Sequence, residues 1–149
     1  MNAYLLNVGL ETLPLRMARH CENALAVARF LRDHPKVAWV RYPGLEGDKY
    51  HDLAQKYMPK GTCGVVTFGV KGGRKAAETF MAGLKLASIA THVADAKTCV
   101  LHPASSTHRQ LSEAELAAAG VSADLIRLSV GIEDITDILA DLEQALDQV

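Results

Sequence analysis

The run His102-Pro-Ala-Ser-Ser-Thr-His108 sets two histidines at the ends of a stretch carrying the hydroxyls of Ser105, Ser106 and Thr107. Three chemistries suit such a run. Two imidazoles can ligate a metal ion, but a catalytic zinc site needs a third protein ligand and groups that orient the rings, and none is signalled nearby. Ser105 or Ser106 with His108 as base would make a nucleophile, but the Gly-x-Ser-x-Gly elbow and an orienting acid are missing. The third reading is structural: Pro103 fixes one dihedral and the hydroxyls bond nearby backbone in a turn before a helix. Taken alone, the run favours the turn.

Arg127 is a second candidate. Its neighbours Leu125, Ile126, Leu128 and Val130 spell a strand, so the guanidinium is carried into partly buried surroundings where it needs an anion. Its planar fork matches a carboxylate through two parallel hydrogen bonds. The partner is either an internal acid, with Asp95 and Glu133 as candidates, or a substrate carboxylate. Cys21, Cys63 and Cys99 are odd in number and far apart, which fits neither a disulfide framework nor a Cys-x-x-Cys motif. They read as reduced, mostly buried thiols.

These groups must be held by regular elements. Met17, Cys21, Ala24, Ala28 and Leu31 recur at helical spacing between Thr12 and His34, with Pro14 suited to the first turn and His34-Pro35 marking the end. A strand over Val37–Tyr42, a helix from about Asp48 to Tyr57, a strand over Gly64–Val70 and a helix over Arg74–Leu84 follow. Leu86–Val93 and Cys99–Leu101 read as two short extended segments around the polar break Asp95-Ala-Lys97. Ser112-Glu-Ala-Glu115 is a capping box for a short helix ended by Gly120. A strand over Leu125–Val130 leads to a last helix, opened by Glu133 or Asp134, that buries Ile135, Ile138, Leu139, Leu142 and Leu146. Three or four strands among helices indicate an α/β two-layer sandwich.

Composition narrows the function. The chain has 149 residues, 49% of them hydrophobic and 22% charged, which suits one domain with a real core. Its 16 basic and 17 acidic residues leave a net charge of -1, and no basic run is interleaved with aromatics, so nucleic acid is not an expected partner. No stretch approaches the ~20 apolar residues of a membrane span, and the apolar start Met1–Leu13 carries no cationic leader and no cleavage-like small-residue site, so the expectation is a cytoplasmic protein. Gly72-Gly73 lacks the further glycine and lysine of a phosphate-cradling loop.

In this order the blocks resemble the C-terminal domain of the pyridoxal-phosphate enzymes of cysteine and methionine metabolism, and among them the O-acetylhomoserine sulfhydrylase branch. The resemblance is carried by Gly9-Leu-Glu-Thr-Leu13, Arg16-Met17, His20-Cys-Glu-Asn-Ala24, His34-Pro-Lys-Val37, Tyr42-Pro-Gly-Leu45 and Pro59-Lys-Gly61. It continues through Phe68-Gly-Val-Lys-Gly-Gly73, Asp95-Ala-Lys-Thr98, His102 to Ser112, and Leu125 to Glu133. It covers nearly the whole chain.

The resemblance implies an α/β two-layer sandwich with a small, mostly antiparallel sheet and helices on one face. It implies an enzyme that uses pyridoxal phosphate to exchange the acetate of O-acetylhomoserine for sulfide, giving homocysteine for methionine biosynthesis. Arg127 matches the arginine that clamps the amino-acid substrate's carboxylate, and Thr98 a position beside it. Asp95, His102, Ser105, Ser106 and His108 fall in pocket-shaping segments. The lysine that anchors the cofactor, and the residues that grip its phosphate, belong in such enzymes to a preceding large domain. Residues 1–149 are therefore expected to form a single substrate-side domain that by itself neither holds pyridoxal phosphate nor catalyses. The expected partner is the missing N-terminal cofactor domain, or further copies in a homo-oligomer. The rivals are one half of a split enzyme completed by another polypeptide, and a non-catalytic assembly module. One departure stands out: His92-Val-Ala-Asp95 replaces Asn-x-Gly-Asp, so a glycine needed there for positive φ would leave Ala94 strained.

Overall fold

The computed structural model describes all of residues 1–149. Its elements are α1 (Asn2–Glu11), α2 (Leu13–Asp33), β1 (Val37–Arg41), α3 (His51–Tyr57), β2 (Val65–Val70) and α4 (Gly73–Gly83). Then come β3 (Ser88–Ile89), β4 (Cys99–Leu101), a 3-10 turn at Pro103–Ser105, α5 (Glu113–Ala118), β5 (Leu125–Ser129) and α6 (Ile135–Leu146). No helix is long and apolar enough to cross a membrane.

The strands form one sheet in the order β1-β2-β5-β4-β3. All neighbours are antiparallel except β3 and β4, which run parallel. The sheet has five strands rather than three or four, because both short segments flanking the Asp95–Lys97 break pair: Ser88 lies opposite Cys99 and Ile89 opposite Val100. The mostly antiparallel α/β architecture is as expected.

Side chains alternate across a pleated sheet, so one face collects Val66, Phe68, Val70, Val100, Ile126, Leu128 and Val130, all buried. α2, α4 and α6 cover that face with Ala24, Val27, Ala28, Leu31, Ala77, Phe80, Ile138, Leu142 and Leu146 in a continuous core. Phe68 and Phe80 meet edge to face, with ring centroids 5.6 Å apart. Each fully buried large apolar side chain contributes about 1.5–3 kcal/mol. Short α5 instead lies on the other side, where Leu116 and Ala117 face Trp39 and Leu125 across a hollow of about 590 Å³.

Local chemistry sets the ends of these elements. Ser112 and Glu115 form the expected reciprocal capping box, Gly120 takes a left-handed conformation after α5, and Asp134 caps α6 through the Thr136 amide. The Asp141 carboxylate on α6 accepts hydrogen bonds from the backbone N–H groups of Lys85, Leu86 and Ala87, at 2.8, 3.0 and 3.0 Å. That contact closes the exit of α4 and launches β3.

α1 was not legible in the sequence pattern. It buries none of its residues, and Tyr4, Leu5, Leu6 and Leu10 are all exposed. Thr12 leaves helical geometry between α1 and α2. Pro14 is the cause, because it cannot donate to the Leu10 carbonyl as helix continuation would require. Arg16 spans the break, bonding the Gly9 carbonyl and the Thr12 hydroxyl.

Candidate functional site

The sheet face away from α2, α4 and α6 carries Arg127 and the polar residues around it. In register across three strands, Thr67, Arg127 and Leu101 form one row, and Val65, Ser129 and Cys99 the next. Segment 90–98, between β3 and β4, lies over these rows. Arg127 Nη2 donates to the Thr91 carbonyl at 2.8 Å and reaches the His92 carbonyl at 3.5 Å. The Ala94 amide donates to Ser129 Oγ at 3.1 Å.

Arg127 is half-buried, and neither candidate acid engages it. Asp95 is turned towards Lys97 and His92: Oδ1 accepts from the Lys97 amide at 3.0 Å, and Oδ2 lies 3.4 Å from His92 Nδ1. The Lys97 amide first, and then His92, hold the Asp95 carboxyl below the usual carboxylate range. Glu133 is spent on Thr98, accepting from its amide at 2.6 Å and its hydroxyl at 3.0 Å. Arg127 Nε is buried without a partner. A guanidinium with an unused N–H and backbone carbonyls for neighbours retains capacity for an anion.

Thr98 is 1% exposed, and its hydroxyl also accepts from the Gly131 amide at 2.9 Å. It therefore underpins the loop, with its proton committed to Glu133. A Cβ at Gly131 would lie 2.5 Å from both the Ala96 carbonyl oxygen and the Thr98 nitrogen, so only glycine fits. Asn23 on α2 donates to the carbonyls of Gly131 and Glu133 at 3.1 and 3.0 Å. His20 Nδ1, one turn earlier, lies 2.7 Å from the Val130 carbonyl. A continuous chain of hydrogen bonds thus runs from α2 through the exit of β5 to the loop above Arg127. His20 and Asn23 are missed by apolar periodicity, since they occupy core positions with polar side chains. Their place on the buried stripe of α2 is the signal that could have found them.

Ala94 has φ +59°, the one non-glycine residue with positive φ. This is the conformation that makes the missing glycine matter, and it costs a residue with a Cβ about 1–2 kcal/mol. The turn brings His92, Asp95 and Cys99 together, with one donor atom from each lying within 4.8 Å of the others. Cys99 is 3% exposed, and burial pushes its thiol pKa up.

The His102–His108 run is a latch. The His102 ring is buried, with Nδ1 2.8 Å from Ser105 Oγ and Nε2 2.9 Å from the Ala123 carbonyl just before β5. Ser106 Oγ donates to the His102 carbonyl at 2.6 Å. The His108 amide donates to the Pro103 carbonyl at 2.9 Å, and its ring nitrogen Nδ1 meets the Thr107 hydroxyl at 2.9 Å. With both His102 nitrogens engaged, the turn reading accounts for the motif. His102, Ser105 and Ser106 line a hollow of about 340 Å³ together with Met81 and Ile89; Asp95 and Arg127 lie outside it.

The model of the family described as Cys/Met metabolism PLP-dependent enzyme matches residues 1–147. The chain belongs to this family. It is 51% identical over 149 residues to an O-acetyl-L-homoserine sulfhydrylase of Leptospira meyeri, covering 99% of this chain and 34% of that protein. It is 54% identical over 144 residues to a homocysteine synthase of Schizosaccharomyces pombe, covering 97% and 34%. An L-methionine gamma-lyase of Fusobacterium nucleatum is 45% identical over 148 residues, covering 99% and 37%. A crystal structure of a putative O-acetylhomoserine (thiol)-lyase from Campylobacter jejuni, with pyridoxyl-lysine phosphate at its position 205, superposes with a TM-score of 0.92 at 42% identity, covering 98% of this chain and 35% of that one. The chain spans about a third of the length of these relatives.

The family is pyridoxal-phosphate dependent, so a lysine fit for the cofactor can be sought here. Lys36 donates to the carbonyls of Leu146 and Asp147 at the end of α6. All other lysines, Lys97 included, are exposed. None stands in an enclosed site where its amine would be held against a cofactor, so these residues do not by themselves fit the group.

Proposed function

We propose that this chain is the substrate-side part of an O-acetylhomoserine sulfhydrylase, contributing to homocysteine formation from O-acetylhomoserine and sulfide. The observation that carries the reading is Arg127: a half-buried guanidinium on the sheet face opposite α2, α4 and α6, with no acid paired to it and Nε unused. Identity also favours this reaction over the lyase, since relatives named for sulfhydrylation or homocysteine synthesis stand at 49–54% and those named methionine gamma-lyase at 44–46%.

In this reading pyridoxal phosphate is supplied by the remainder of the enzyme, where it acts as electron sink for elimination and addition. The chain's own work is recognition. Arg127 orients the substrate by its carboxylate, and the Asn23–Gly131–Thr98–Glu133 network holds the overlying loop in place. Pairing α1 with the cofactor-bearing part would cover Tyr4, Leu5, Leu6 and Leu10, whose exposure is otherwise a liability.

The test is reconstitution. The chain is co-expressed with the cofactor-bearing portion of the Leptospira relative, and homocysteine formation from O-acetylhomoserine and sulfide is assayed beside methionine cleavage. Arg127→Ala should lower kcat/KM by about 30-fold or more, since truncating one partner of a buried charge pair costs about 2–5 kcal/mol. A complex with full activity after Arg127→Ala, or one that only cleaves methionine, would overturn the reading. The chain alone, titrated with pyridoxal phosphate and then reduced with borohydride, should show no stoichiometric attachment to a single lysine.

A further inference from the structure

We propose that His92, Asp95 and Cys99 form a binding site for one thiophilic divalent cation of the zinc class. The three residues fall in a single short segment, His92-x-x-Asp95-x-x-x-Cys99. Their donor atoms lie within 4.8 Å of one another. Two ligands on one tetrahedral zinc, with bonds of about 2.0–2.3 Å, stand roughly 3.3–3.8 Å apart. Closing the site therefore asks for a contraction of about an ångström. His92 Nδ1 and Asp95 Oδ2 are already 3.4 Å apart, and the His92 side chain is 68% exposed and free to swing.

The other two ligands are fixed. Asp95 is held by the Lys97 amide through Oδ1, which leaves Oδ2 turned to His92. Cys99 is 97% buried at the start of β4, opposite Ser129, so its sulfur is delivered from a paired strand. Its weak hydrogen bond to the Lys97 carbonyl, at 3.5 Å, is easily exchanged for a metal–sulfur bond. The thiol proton leaves to solvent as that bond forms, so each ion bound releases one proton.

The donor set selects the metal. Sulfur and imidazole nitrogen suit zinc and its neighbours, whereas magnesium and calcium demand oxygen ligands. Asp95 and the Cys99 thiolate together offset the charge of a dication. Lys97 and Arg127 stand near and oppose it, so affinity rests on the bond to sulfur more than on the local field. Three protein ligands leave a fourth position for water or a thiolate from solution. A bound ion would pin segment 92–99 beside Arg127, whose guanidinium already bonds the Thr91 and His92 carbonyls.

Cobalt(II) titration of the purified chain tests this directly. The expected result is a thiolate-to-cobalt charge-transfer band and tetrahedral d–d bands that saturate at one equivalent, vanish on adding zinc, and accompany release of one proton. Cys99→Ser should abolish the charge-transfer band, and His92→Asn and Asp95→Asn should each weaken binding by about tenfold or more. Cys21→Ser and Cys63→Ser should leave the spectrum intact. Circular dichroism on each variant separates loss of the site from loss of fold. Absence of the band in the folded chain, or a band that survives Cys99→Ser and disappears with Cys21 or Cys63, would overturn the proposal.

Discussion

The Arg127 guanidinium donates to the carbonyl of Thr91, 36 residues earlier in the chain, at 2.8 Å. The cation proposed to bind the substrate carboxylate is thus also a clasp on the loop above it. Arg127→Met should raise the hydrogen-exchange rates of amides in segment 91–95 while changing global stability by only about 1–2 kcal/mol. Unchanged exchange in that segment would show that the clasp holds nothing.

Ala94→Gly should stabilise the chain. Relief of the left-handed backbone at φ +59° returns about 1–2 kcal/mol, and the greater freedom of glycine in the unfolded chain removes about 0.4–1 of it. A net gain of about 0.5–1 kcal/mol should appear as a higher denaturant midpoint at constant slope.

Asp141→Asn should be costly. The amide offers one acceptor oxygen where the carboxylate serves three backbone N–H groups, and its NH₂ faces donors. A loss of about 2–4 kcal/mol in urea unfolding is expected, while a variant at an exposed position such as Glu113→Gln should stay within about 0.5 kcal/mol.

Acid should weaken the fold through four carboxylates held below their ordinary values: Asp33 chiefly by the Arg32 guanidinium, Asp95 by the Lys97 amide, Glu115 by the Ser112 hydroxyl and Asp134 by the Thr136 hydroxyl. A carboxyl whose folded pKa is depressed contributes stability above its unfolded value. That contribution is lost as pH falls through the ordinary values of 3.8 and 4.5 towards the lower folded ones. Stability measured between about pH 6 and about pH 3 should therefore fall with a slope that Glu115→Gln and Asp134→Asn reduce.

The Tyr42 phenol, pushed up to about 12 mainly by burial, should ionise later than the usual value of 10 in an ultraviolet titration. Its hydroxyl donates to the Cys63 carbonyl at 2.9 Å, so stability carried by the neutral phenol is complete below pH 10 and lost as pH rises towards 12. Tyr42→Phe should remove that late step.

What could be read from sequence was local. The α2 and α6 stripes, the Ser112–Glu115 box and the alternation of β2 and β5 each express a period or a cap that needs no tertiary information. α1 escaped because its apolar residues face no partner within this chain, so no buried stripe marks it. The pairing of β3 with β4 escaped because two- and three-residue strands have no measurable alternation. Arg127 was legible as a cation in a buried strand, but the commitments of Asp95 to Lys97 and of Glu133 to Thr98 depend on how the loop folds back at Ala94. The meeting of His92 with Cys99 depends on the same turn.

The sheet's two free margins are guarded in different ways. β3 pairs through only two residues, and β1 slips register between Val37 and Trp39, so neither presents the long flat ladder that templates fibre growth. Copies of this chain should meet through the greasy side chains of α1 and not edge to edge. Clumping at high concentration should accordingly yield to mild detergent, without the thioflavin response of cross-β aggregates.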